Sequence, residues 1–155
     1  MATTRVSMTG LRELGEAMTL LSADIAKKIA FQGVLAGAGI VKKAAAQKAH
    51  VAEKAYKVRQ KNGDKSFEVQ PGNVARNVFT KRIKSNLTAE YVVTVRGKRK
   101  NGFAARAARL MEFGSVSDEM KPFLRPAYEA TKEQAANAIK DRLTKRMDKA
   151  NKTSK

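Results

Sequence analysis

Three observations predict an α+β chain: apolar residues at helical spacing near the start, strand-prone runs in the middle, and a long charged helical segment at the end. Leu11, Leu14, Met18, Leu21, Ile25 and Ile29 recur every three or four residues, which puts them on one face of a helix. Tyr91, Val92, Val93 and Val95 are β-branched or aromatic, the types that suit a pleated, half-buried surface. Leu124, Tyr128, Ala135, Ile139 and Leu143 approximate one face of a helix running from Phe123 or Leu124 to Met147.

The first helix has Thr9 as its candidate N-cap, and its pattern continues through Val34, Ile40, Val41 and the alanine- and lysine-rich run that follows. Gly33, Gly37 and Gly39 interrupt that pattern, each at a cost of up to ~1 kcal/mol against alanine. Either two helices or one long helix bent near 33–39 fits. Gly37 and Gly39 suit close helix packing as well as a plain break. From about 56 to 73 the chain is basic and irregular. Asn62-Gly63 is a strong turn signal there, consistent with a short hairpin and equally with a flexible loop. Residues 77–85 and 89–97 then form an expected antiparallel strand pair, with a short helix from Asn73 before the first. The basic connection 98–102 leads into a helix over 103–113, with Phe103, Ala107, Leu110 and Met111 expected to face inward. Glu129, Lys132 and Glu133, and Asp141 with Lys145, give the last helix a charged, exposed side. Residues 1–148 are expected to form one domain, and 149–155 a flexible basic tail.

The stretch 111–127, MEFGSVSDEMKPFLRPA, is a turn with a helix start built into it. Gly114 can take positive φ, Ser115, Ser117 and Asp118 suit a polar turn, and Pro122 stops a helix from running through. Pro126 falls in the first turn of the next helix, where its missing N–H costs nothing. Phe113, Phe123 and Leu124 are apolar anchors along this loop. They pin it to the chain's own core or to a neighbouring subunit.

Of 155 residues, 32 are Lys or Arg and 14 are Asp or Glu, a net charge of +18. The excess is concentrated in residues 42–100, where sixteen basic and four acidic groups leave +12. Such a block is a solvated face or the contact surface of a polyanion, whose counterions binding would release. No cysteine and one histidine, His50, exclude disulfides, thiolate sites and zinc sites built on several imidazoles. No uninterrupted run of 18 apolar residues suggests a membrane span, and the opening MATTRVSMTG lacks the apolar region of a secretory signal. The expected compartment is the cytosol or a particle assembled there. No phosphate-binding glycine loop, nucleophile elbow or His-Glu-x-x-His motif is present. His50 reads as an ordinary surface residue, and Glu112 as the ion-pair partner of Arg106, Arg109 or Arg125 rather than a general base. Asp118 and Glu119 read as solvated turn residues. The chain is not expected to be an enzyme, and no cofactor or metal is implied. Tyr56, Phe67 and Tyr91 lie among basic residues where they could stack on bases, although core or hairpin packing is the commoner use of such aromatics.

The order of these pieces resembles one family. MTGLRELGEAMTLL is similar to that family's opening, a G-L-x-x-L phrase leading into a helix. QPGNVARNVFTKRI, Gln70–Ile83, is similar to its segment of Pro, Thr-Gly, an aliphatic and a basic residue: Pro71, Gly72, Asn73, Val74 and Arg76 match in kind, whereas the threonine is missing and Pro71 abuts Gly72. Glu112-Phe113-Gly114 and then Pro122–Ala127, P-F-L-R-P-A, complete the match before the charged final helix. The chain thus resembles the minor tail component, neck and tail-completion (head–tail joining) proteins of long-tailed bacteriophages. The resemblance implies an α+β fold, a small, mainly antiparallel sheet flanked by a long N-terminal helix and a C-terminal helix. It implies a non-enzymatic virion protein of the neck and tail, assembled in the host cytoplasm, that forms an oligomeric ring. That ring would complete or terminate the tail and join it to the capsid connector. Its partners would be further copies of itself, connector and tail-tube proteins, and DNA contacted non-specifically through the lumen, with no membrane. Candidate subunit-interface residues are Phe113, Gly114, Pro122, Phe123, Leu124 and Arg125. Candidate lumen-facing basic residues are Lys57, Arg59, Lys61, Lys65, Lys98, Arg99 and Lys100. The alternative is a free nucleic-acid-binding protein, histone-like or regulatory, that uses the basic middle third.

Overall fold

The computed structural model describes residues 11–19, 23–59, 66–85, 88–97, 103–115 and 119–153. Among them are five helices and four strands, an α+β arrangement with long helices near both ends. The chain divides into two compact units, one of residues 1–41, 80–92 and 130–155, the other of 42–79 and 93–129.

In the first unit, helix α1 spans Leu11–Thr19 and helix α2 spans Ala23–Lys48. The expected apolar face is present in part: Leu14, Ala17 and Met18 of α1 and Ile29 of α2 pack with Leu143 and Met147 of the C-terminal helix α5, Leu124–Thr153. Ile25 is exposed instead, and the candidate cap Thr9 lies outside the described residues. One uninterrupted helix passes through all three glycines, so neither a split nor a break occurs at 33–39. The reason lies in packing. A Cβ on Gly33 would come within 2.6 Å of the Leu143 side chain, and one on Gly37 within 2.7 Å of Ile139 and 2.9 Å of the Ala135 carbonyl oxygen. Four residues apart on one face, these glycines let α5 approach more closely than any side chain would permit. Gly39 has nothing within 4 Å and serves no such contact.

By length and mean hydropathy, α2 is the one described helix that could cross a bilayer. Its uncharged run, Ile29 to Val41 between Lys28 and Lys42, covers only roughly 20 Å at helical rise, short of the ~30 Å of a bilayer's apolar core. Ile29, Phe31, Gly33 and Gly37 are buried within the protein, and 28% of the most apolar window of α2 is buried in all.

The second unit contains the larger apolar cluster. Ala45 and Ala49 from the end of α2 meet Val74, Val78, Val95, Ala104, Ala108, Phe123 and Ala127. Strands β1, Tyr56–Arg59, and β2, Ser66–Val69, pair antiparallel with Tyr56 opposite Val69 and Lys57 opposite Glu68. This is the hairpin alternative of the sequence reading; its turn lies outside the described residues. Helix α3, Asn73–Asn77, begins at the expected asparagine and leads directly into β3, Val78–Ile83, which pairs with β4, Glu90–Val95. The Arg96 N–H donates to the Asn77 carbonyl at 3.0 Å, so the start of β3 lies beside the end of β4 and the pair is antiparallel. The strands form two separate two-stranded ribbons.

Helix α4 spans Ala104–Phe113 and packs against α3. Its inward face matches the expected one in part, since Ala107 and Met111 pack against the apolar cluster. Ala104, Ala108 and Glu112, spaced by four, are buried, whereas Leu110 is exposed and Phe103, Ala107 and Met111 are half-buried. Two small residues and a carboxylate with a dedicated task occupy the inner stripe, displacing Leu110 outward. At the other end, α5 continues to Thr153, so residues 149–153 are helical rather than a tail. Tyr128, expected on its inner face, is exposed.

Candidate functional site

Helix α5 begins without a capping side chain of its own: Pro122 and Phe123 precede Leu124, and neither carries a side-chain acceptor. The first backbone N–H groups of a helix have no intrahelical partner and need one. Glu112 supplies it from the end of α4. One carboxylate oxygen, Oε2, accepts from the N–H groups of Phe123 and Leu124, each at 3.0 Å. The other, Oε1, accepts from the N–H of Arg125 at 3.3 Å and from its guanidinium Nε at 3.1 Å. Pro126 has no N–H, and the Ala127 N–H begins the helical ladder by donating to the Phe123 carbonyl at 3.1 Å. Every donor of the first turn is thereby accounted for.

Glu112 is only 4% exposed. Burial pushes its carboxyl up, but the three backbone N–H groups and Arg125 outweigh that and hold it below the ordinary glutamate range. The positive end of the α5 dipole acts in the same direction. The ion pair with Arg125 was among the three the sequence suggested; the backbone clamp was not. Its signal was readable, since a helix start with no Ser, Thr, Asp or Asn before it requires an acceptor from elsewhere.

The clamp fixes both ends of the connection between α4 and α5. Gly114 terminates α4 at φ 72 and ψ −176, a positive-φ conformation that glycine adopts without strain, and the Lys121 N–H donates to the Met111 carbonyl at 2.8 Å. Beside this anchored turn Phe113 is 66% exposed, with the Arg125 guanidinium 5.6 Å from its ring centre. Arg106, Arg109, Leu110, Phe113 and Gly114 line a concave surface of about 490 Å³. Positions 106, 109, 110 and 113 share one stripe of α4.

The candidate interface residues therefore separate. Phe113, Pro122 and Arg125 are exposed, Gly114 lies half-buried among them, and Leu124 is half-buried against the apolar cluster. Phe123 is fully buried in that cluster. It fills the chain's own core and offers no surface, because as the residue preceding α5 it must point inward for its N–H to reach Glu112. Arg106, Arg109 and Leu110 belong to the exposed patch and were missed. Among the basic candidates, Lys57 is exposed on β1 opposite Glu68, Arg59 closes β1, and Lys61, Lys65, Lys98, Arg99 and Lys100 lie outside the described residues. Tyr56 is exposed, and Tyr91 is half-buried with its ring edge-on to Phe31. His50 is exposed just beyond α2. Among the described residues no three His, Asp or Glu side chains come together as metal ligands would. Comparison with protein-family models, with curated proteins and with solved structures returns no match.

Proposed function

We propose that the chain is a structural subunit of the phage head–tail junction, associating through the Phe113 patch into a ring that completes or terminates the tail and joins it to the capsid connector. The observation that carries this reading is an aromatic side chain held largely in solvent on a turn that four hydrogen bonds to Glu112 fix in place. A rigid apolar projection flanked by arginines is a common composition for the centre of an interface. It also coincides with the E-F-G and P-F-L-R-P-A segments on which the resemblance rests. Closed rings use heterologous contacts, in which the patch meets a different surface of the next copy. The second reading, a free nucleic-acid-binding protein, is favoured by the net charge of +18.

Light scattering on the purified chain at low and high salt, with and without duplex DNA, separates the two. The ring reading expects a multiple of the 17.0 kDa chain that forms without DNA and is fully populated at high salt, reduced to monomer by Phe113→Ser. A monomer or dimer that binds duplex tightly at low salt and releases it at high salt supports the second reading and removes the first.

A further inference from the structure

The first unit carries a second feature, on different residues and independent of ring formation. Lys27 and Lys28 on α2 face Arg82 on β3 across a cleft of about 390 Å³ that also includes Phe31, Gln32 and Tyr91. An adjoining hollow of about 660 Å³ shares Lys27 and Arg82 and adds Lys84. Four exposed cations thus border these two hollows, and among the described residues Asp24 is the one acidic side chain lining them.

Two further observations give this surface a chemistry beyond charge. The guanidinium carbon of Arg82 lies 3.4 Å from the centre of the Phe31 ring, and Tyr91 meets the same ring edge-on at 6.0 Å and 81°. Phe31 is buried, so it acts as a backing that holds the guanidinium over its face, leaving the cation's outer face to solvent.

We propose that this double cleft binds a nucleotide of single-stranded nucleic acid. The phosphate sits among Lys27, Arg82 and Lys84, and the base lies against the outer face of the Arg82 guanidinium beside Tyr91. Flat cationic and aromatic surfaces stack on bases of any identity. Bases in a duplex are already stacked on their neighbours and cannot lie on this guanidinium face, which selects the single strand. An acidic peptide would satisfy the lysines but would bring nothing flat to the guanidinium.

The test is fluorescence anisotropy of the full chain with a labelled single-stranded oligonucleotide and with a duplex of equal length, across a salt series. The wild type binds the single strand more tightly. Arg82→Lys keeps the charge but not the flat platform and reduces the single-strand preference by roughly five- to tenfold. Lys84→Ala lowers the slope of log affinity against log salt by about 0.7. The double change Arg142→Ala with Lys145→Ala, which removes two exposed cations from α5, leaves the preference intact. Circular dichroism on each variant separates lost binding from lost folding. Equal or tighter binding of duplex by the wild type overturns the proposal, as does an α5 double variant that loses as much single-strand affinity as Lys27→Ala with Lys84→Ala.

Discussion

Glu112 is a charged side chain at the edge of an apolar cluster, and its environment sets what its loss must do. Removing the carboxylate leaves the N–H groups of Phe123 and Leu124 without acceptors and the Arg125 side chain without its partner. Leaving N–H groups at a buried helix start without an acceptor costs about 1–3 kcal/mol, and Arg125, exposed to solvent, adds no buried-charge penalty, so Glu112→Ala is expected to lower the unfolding free energy by that order in urea melts. Glu112→Gln keeps one acceptor oxygen and is expected to lose less. The same site predicts a pH dependence with a definite sign. The carboxyl is held below its ordinary range in the folded chain, so the unfolded state takes up the proton first as pH falls. The stability Glu112 contributes is therefore complete above the ordinary glutamate range and is lost as pH drops below it, through the lowered folded value. Melts of the wild type across that window should show an acid-side decline that is shallower in Glu112→Gln. Equal slopes in the two proteins would remove the clamp from the account of acid stability.

At the scale of elements, the glycines of α2 make the clearest comparison. Gly37 and Gly39 are equivalent in sequence, two residues apart in one helix, yet they face opposite sides. A methyl group at 37 would press on Ile139 and on the Ala135 backbone oxygen, which cannot rotate aside. Gly37→Ala is therefore expected to cost about 1–3 kcal/mol in overpacking. Gly39→Ala meets open space and is expected to raise stability by up to ~1 kcal/mol through helix propensity. Thermal melts that shifted both variants in the same direction would contradict this division. The contrast also shows where the sequence was informative. Hydrophobic spacing located α5 and much of α2, and β-branched runs located β4, because each signal arises from a local period, whereas Asn62-Gly63 left a hairpin and a flexible loop equally open. The burial of Glu112 in place of Leu110 was not legible, since leucine outranks glutamate in hydrophobicity while the inner place of Glu112 answers a distant requirement, the uncapped start of α5. The same requirement turned Phe123 inward and left Phe113 as the exposed aromatic of the pair.

For the whole molecule, the net charge of +18 opposes any association of identical copies, and the Phe113 patch itself carries Arg106 and Arg109. Two copies meeting there gain apolar burial from Phe113 and Leu110 and lose Coulomb energy from like charge. Salt acts on these contributions differently. At roughly 0.1 M the screening length is ~10 Å, so repulsion between exposed cations weakens steeply as salt rises, whereas burial of apolar surface is not weakened. Nucleic-acid binding responds with the opposite sign, because salt removes the gain from counterion release. Self-association through Phe113 should therefore strengthen with added salt while binding of any oligonucleotide weakens. Sedimentation equilibrium at rising sodium chloride, without nucleic acid, is expected to show the mean mass increasing in the wild type and staying at one chain in Phe113→Ser. Phe113 is largely exposed, so that substitution should change monomer stability by no more than about 0.5 kcal/mol, and a melt distinguishes lost association from lost folding. A wild-type mass that fell with salt would mean that oppositely charged surfaces hold the copies together, and the basic regions rather than the aromatic patch would then be the place to look for the contact.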